Sequence, residues 1–126
     1  MSTSVKQLLE AANAAVERIN PTQAQEKIAS GDALIVDVRD PSEVAATGKI
    51  KGAINVSRGM LEFRADSQTP FHNPAFQKDR TMLLYCASGG RSALAAKTLQ
   101  DMGYASVYNI GGFKELQDAG LETESA

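Results

Sequence analysis

The stretch YCASGGRSALAAK, residues 85–97, decides how this chain is read. It holds Cys86, the single cysteine among 126 residues. The apolar run TMLLYC (81–86) leads into it and reads as a buried strand. Beyond Arg91, Ala95, Leu99 and Met102 recur at helical spacing until Gly103 stops the pattern. The segment therefore predicts a strand, a tight loop and a helix, with the sulfur at the carboxyl end of the strand. In open α/β sheets, ligand sites form beyond those ends.

The same alternation extends outward in both directions. ALIVDV (33–38), AINV (53–56) and SVYNI (106–110) read as further strands. Asn20-Pro21 and Asp40-Pro41 are helix starts, with Gln23 and Glu43 placed to complete capping boxes. RGMLEFRAD (58–66) and GFKELQDAG (112–120) read as short helices, and the Pro- and Asn-containing stretch 67–80 as a loop. Strands alternating with helices predict an α/β fold: a mostly parallel sheet with helices on both faces. Residues 4–19 carry a helical stripe of Val5, Leu8, Leu9, Ala12, Val16 and Ile19 opposite Lys6, Glu10, Glu17 and Arg18. That stripe is expected to add core packing or to form a dimer contact, so a monomer or weak dimer is expected.

Composition narrows the function. The chain fits one domain and, at 43% hydrophobic, carries enough apolar residues for a core. Thirteen basic residues against fifteen acidic ones leave no basic footprint for nucleic acid. The N-terminus lacks the apolar core of a signal peptide or a membrane span, which makes a cytoplasmic location the expectation. One cysteine forms neither an internal disulfide nor a zinc framework, and no metal or cofactor is expected.

The residues after Cys86 suit a thiolate. Gly89 and Gly90 allow positive φ and inward-facing amides, which together form an anion-binding nest. The positive end of the following helix points to the same place. Arg91 is expected either to neutralise the thiolate or to brace the loop. Ser92 is expected to cap the helix or to donate to sulfur. A thiolate is itself the nucleophile and needs no histidine base, so His72 is left as a surface residue. A buried cysteine is often plain core filler, but filler does not require a glycine nest, an arginine and a helix start directly behind it.

Cys86-Ala87-Ser88-Gly89-Gly90-Arg91-Ser92 resembles the active-site loop of the rhodanese family, commonly C-x-x-G-x-R-S. LIVDVRDPSEV (34–44), TGKIKGAINV (47–56) and GYASVYNIGGF (103–113) resemble further family segments in family order. The resemblance implies a single-domain, three-layer rhodanese-like fold of about five strands, with an N-terminal helical extension over 1–19, the domain over 20–122 and a tail at 123–126. It also implies a sulfurtransferase. Cys86 would take a sulfane sulfur from thiosulfate or another small donor as a persulfide, held by the loop residues Ala87 to Ser92. Cyanide, a thiol or an acceptor protein would then remove it. Asp37 and Arg39 are expected mainly as structural organisers, and Arg58 and Arg64 as candidates for binding an anionic donor. Lys49 stands where the family usually has histidine, and Leu116 where an aromatic is common. The alternatives are a sulfur-relay carrier or regulatory binding module and, less favoured, a phosphatase or arsenate reductase. The latter enzymes use a loop one residue longer to surround a tetrahedral oxyanion.

Overall fold

Three buried runs, one half-buried pair and one short polar segment lie side by side in a computed structural model that describes residues 2–126. In chain order the elements are α1 (Val5–Ala15), β1 (Glu17–Arg18), α2 (Pro21–Ala29), β2 (Leu34–Asp37), α3 (Pro41–Thr47), β3 (Lys49–Ile50) and β4 (Ile54–Asn55). They continue with α4 (Leu61–Ala65), β5 (Met82–Cys86), α5 (Gly90–Asp101), β6 (Val107–Gly112), α6 (Phe113–Asp118) and β7 (Thr123–Glu124). The main sheet runs β1-β6-β5-β2-β4, and every pairing in it is parallel. Continuous apolar strands such as MLLYC are what a sheet covered on both faces requires.

Two apolar layers flank the sheet. One joins Val36, Leu84 and Met82 to Leu61 and Ala65 of α4 and to Ala95, Ala96 and Leu99 of α5. The other joins Ile35, Leu83 and Tyr85 to Ala24 of α2 and to Phe113 and Leu116 of α6. The three-layer expectation therefore holds. Leu116, fully buried, takes up the packing position where an aromatic is common in the family.

The N-terminal segment differs from its sequence reading. The helix ends at Ala15 rather than continuing to residue 19, and Glu17–Arg18 forms the edge strand beside Tyr108 and Asn109 of β6. Val16 and Ile19 are buried as expected, but from an extended chain, whereas Val5 and Leu8 of the expected stripe face solvent. The stretch at 123–126 also differs from a simple tail, because Thr123–Glu124 pairs antiparallel with Lys49–Ile50. Lys49 fixes this corner by donating to the Ala53 carbonyl at 2.8 Å and pairing with Glu124. The expected helix over 58–66 is a 3-10 turn at Arg58–Met60 followed by α4. No helix among the described residues is long and apolar enough to cross a membrane.

Candidate active site

β5 carries Cys86 to the carboxyl end of the sheet, and the chain turns at once into α5. The turn rests on Gly89, whose φ is 100° in the left-handed region. Gly90 does not share that conformation, contrary to expectation: it is the first helical residue, with Gly89 as N-cap. Ser92 therefore lies inside the first turn and is not the cap. The loop also depends on its neighbour β6. A Cβ at Gly112 would lie 2.4 Å from the Ala87 carbonyl oxygen, so the loop packs directly onto bare backbone there.

Cys86 is 1% exposed and sits within the apolar layer beneath α5. The Gly89 amide donates to its Sγ at 3.0 Å, and Ser92 Oγ lies 3.5 Å away. Burial pushes the thiol pKa up. Hydrogen bonds from the Ser92 hydroxyl and from the amides of Ser92, Ser88 and Gly89 pull it down further, and the net shift is downward. The amino end of α5 contributes in the same direction. The sulfur is therefore biased toward the thiolate without any histidine, and His72 instead lies 3.4 Å from the Phe76 carbonyl.

Asn109, which the sequence reading passed over, holds this arrangement in place. It is 1% exposed on β6. Its Nδ2 donates to the Gly89 carbonyl at 3.0 Å, and its Oδ1 accepts from the Gly111 amide at 3.0 Å and from Ser92 Oγ at 2.8 Å. The β5–β6 register shifts by one residue between Leu84 and Tyr85, which oppose Asn109 and Gly111. That irregularity frees the Gly111 amide from the ladder for Asn109. The signal in the sequence was a lone amide side chain within an otherwise apolar strand.

The expected arginines divide. Arg91 braces the loop: its two terminal nitrogens donate to the two oxygens of Glu43 at 2.7 and 2.9 Å. This pairing, helped by the Asp40 amide, holds the Glu43 pKa down at about 2 and raises that of Arg91. Arg39 and Asp37 form a sealed pair at 2.7 Å, 2% and 0% exposed. Arg39 also donates to Thr47 Oγ1 and the Gly48 carbonyl, tying α3 to β2, and stacks over Phe113 at 4.5 Å. Burial lowers the Arg39 pKa, the bonds to Asp37 raise it more, and the net shift is upward. Arg58 contacts Glu62 and Thr98, and Arg64 the Phe71 carbonyl, so neither has a partner within residues 86–92.

A cysteine at a strand end, beside amide donors at the start of a helix on a parallel α/β sheet, is an arrangement that favours a thiolate. The model of the rhodanese-like domain matches residues 20–119, and the chain belongs to that family. The thiosulfate sulfurtransferase GlpE of Ectopseudomonas mendocina is 33% identical over 113 residues, covering 87% of this chain and 92% of that protein. The solved structure of a protein of unknown function from Rhodopseudomonas palustris, described as a possible tyrosine phosphatase, is 43% identical. It superposes with a TM-score of 0.89 and covers 98% of this chain and 96% of its own. The homodimeric polysulfide-sulfur transferase of Wolinella succinogenes is 30% identical, with a TM-score of 0.76 over 96% of this chain and 87% of its own. At the level of the family, the chain is a sulfurtransferase-like enzyme.

Proposed function

We propose that the protein transfers a sulfane sulfur through a persulfide on Cys86. The Cys86 thiolate attacks the outer sulfur of thiosulfate, the S–S bond of the donor breaks, and sulfite leaves with the bonding electron pair. The enzyme then carries Cys86–S–S⁻. Cyanide or a thiolate attacks the terminal sulfur, and the Cys86 thiolate leaves. Charge balances in both half-reactions and no redox partner is needed, as in other two-step covalent transfers. The observation that carries this reading is the Gly89 amide donating to Sγ at 3.0 Å with Ser92 Oγ at 3.5 Å, at the start of α5, an arrangement that also suits the charge of a terminal sulfur just beyond it. A reducing compartment such as the cytoplasm would keep Cys86 free between turnovers.

Stopped turnover tests the reading. Enzyme mixed with excess thiosulfate and no acceptor should release one sulfite per active site in a burst, and adding cyanide should restart release as thiocyanate forms. Absence of a sulfite burst with thiosulfate, together with absence of sulfur loading from polysulfide, would reject it. A relay role predicts the same burst but slow return of sulfur to cyanide and fast return to an acceptor protein. Phosphatase chemistry is disfavoured by the loop itself: four residues separate Cys86 from Arg91, and both guanidinium ends of Arg91 are taken by Glu43. Hydrolysis of p-nitrophenyl phosphate is expected to be negligible, and turnover that depends on Cys86 would overturn that view.

A further inference from the structure

We propose that Arg18 is a docking contact for anionic sulfur donors beside the Cys86 loop, a role that rests on the sulfurtransferase reading above. Arg18 ends β1, outside the residues 20–119 that the family model matches. Parallel pairing puts it opposite Asn109, at the same end of the sheet as the loop. Its side chain then crosses β6 at Gly111 and reaches Gly89. The two glycines leave room for it: a Cβ on Gly89 would lie 2.7 Å from Arg18 Nη1, and one on Gly111 would meet Glu115 Oε1 first and Arg18 Nη2 at 3.1 Å. The guanidinium thus lies against the residue whose amide donates to Cys86 Sγ.

Among the arginines near the loop Arg18 is the least committed, and the other loosely held cation there, Lys114 beside Ala87, pairs with Asp118 at 3.4 Å. Arg91 is committed to Glu43, Arg39 is sealed against Asp37, and Arg58 is shared between Glu62 and Thr98. Among the described residues Arg18 has one loose ionic partner, Glu115 at 3.5 Å, and the two side chains are 49% and 53% exposed. An exposed pair of that length contributes little, so the guanidinium is exchangeable at low cost. Its planar fork matches two oxygens of a sulfonate as it matches a carboxylate or phosphate. The ligand class is a small dianion ending in a sulfane sulfur, such as thiosulfate: the sulfonate rests on Arg18 while the outer sulfur enters the amide ring at Cys86.

The test uses Arg18→Ala, Arg18→Lys and Glu115→Gln in the full chain, with two readouts. The first is the rate of Cys86 alkylation by iodoacetate relative to iodoacetamide, which reports positive charge near the sulfur and needs no sulfur transfer. Arg18→Ala should lower that ratio by about three- to tenfold, the effect of one charge at close range. Arg18→Lys should retain most of it, and Glu115→Gln, which frees Arg18, should raise it. The second is thiosulfate turnover, where Arg18→Ala should raise KM by a similar factor with kcat changed by less than about twofold. Ratios unchanged in Arg18→Ala and Glu115→Gln, with persulfide still forming in the wild type, would overturn the docking role alone. A ratio that falls as expected in a wild type background that takes no sulfur would instead reject the sulfurtransferase reading and leave the anion contact standing. Because Arg18→Lys and Glu115→Gln each keep a cation at this position, a poorly folded Arg18→Ala does not remove the test.

Discussion

Ser92 Oγ lies 2.8 Å from Asn109 Oδ1 and 3.5 Å from Cys86 Sγ, and it has one proton to share between them. The orientation of the Asn109 amide is fixed by backbone, since Nδ2 must meet the Gly89 carbonyl and Oδ1 the Gly111 amide. Of the two acceptors Asn109 Oδ1 is the closer, and it is expected to hold the Ser92 proton while Cys86 is a thiol. A charged sulfur is the stronger acceptor and should draw the hydroxyl to itself, leaving Asn109 Oδ1 the Gly111 donor. Ser92→Ala should therefore raise the Cys86 pKa, measured by thiolate absorbance against pH. An unchanged midpoint would show that the backbone amides alone set it.

Asn109 should matter to stability as well as to the loop. Asn109→Leu strands the buried Gly111 amide, while the Gly89 carbonyl keeps the Ala93 amide and the Ser92 hydroxyl keeps Cys86 Sγ. Each unsatisfied group costs about 1–3 kcal/mol. A loss of roughly 1–3 kcal/mol is expected in urea unfolding, with the midpoint shifted more than the slope. A loss within ~0.5 kcal/mol would mean that the loop finds other partners.

The pH dependence of stability has a defined sign at Cys86. Its folded pKa is lowered, so the group adds stability above the unfolded cysteine value of about 8.5, and that contribution is lost as pH falls through the folded value. Wild type should gain on Cys86→Ser as pH rises toward about 8.5. The opposite trend would mean that burial outweighs the hydrogen bonds.

The Glu43–Arg91 pair links α3 to the loop at two points. With the Glu43 pKa lowered to about 2, its contribution is present above about 4.5 and lost as pH falls toward the folded value. Both side chains are more than a third exposed or close to it, so the pair is worth only about 1 kcal/mol or less. Glu43→Gln should leave the fold nearly as stable at neutral pH but loosen Arg91, slowing sulfur loading more than it lowers Tm.

Gly112→Ala should separate site from fold in the other direction. Its Cβ would collide with the Ala87 carbonyl, and because the atom it meets is backbone, the loop must move. Activity should fall by at least about tenfold, the scale of a misplaced catalytic geometry. Normal turnover in Gly112→Ala would mean that the loop tolerates displacement from β6.

Much of this was legible in the chain. The strand of residues 82–86, the glycine turn and the helix behind it follow from period, composition and caps, and the same signals placed Cys86. What escaped were pairings distant in sequence. Val16 and Ile19 continue a helical period by coincidence, and a strand of two residues, Glu17–Arg18, has no period of its own, so nothing local marked the end of α1. Thr123–Glu124 became a strand because Lys49–Ile50 is there to pair with it. The direction of Arg91 was undecidable for the same reason, since its partner lies forty-eight residues away on α3. Asn109 was visible as an oddity, but its three partners emerge only once β6 lies beside the loop.

The central claim, a persulfide on Cys86, is tested most directly by intact mass spectrometry after incubation with thiosulfate. Wild type should gain the mass of one sulfur atom, lose it on adding cyanide, and show no gain as Cys86→Ala. A wild-type mass that stays unchanged with thiosulfate and with polysulfide, or a gain that survives in Cys86→Ala, would contradict it.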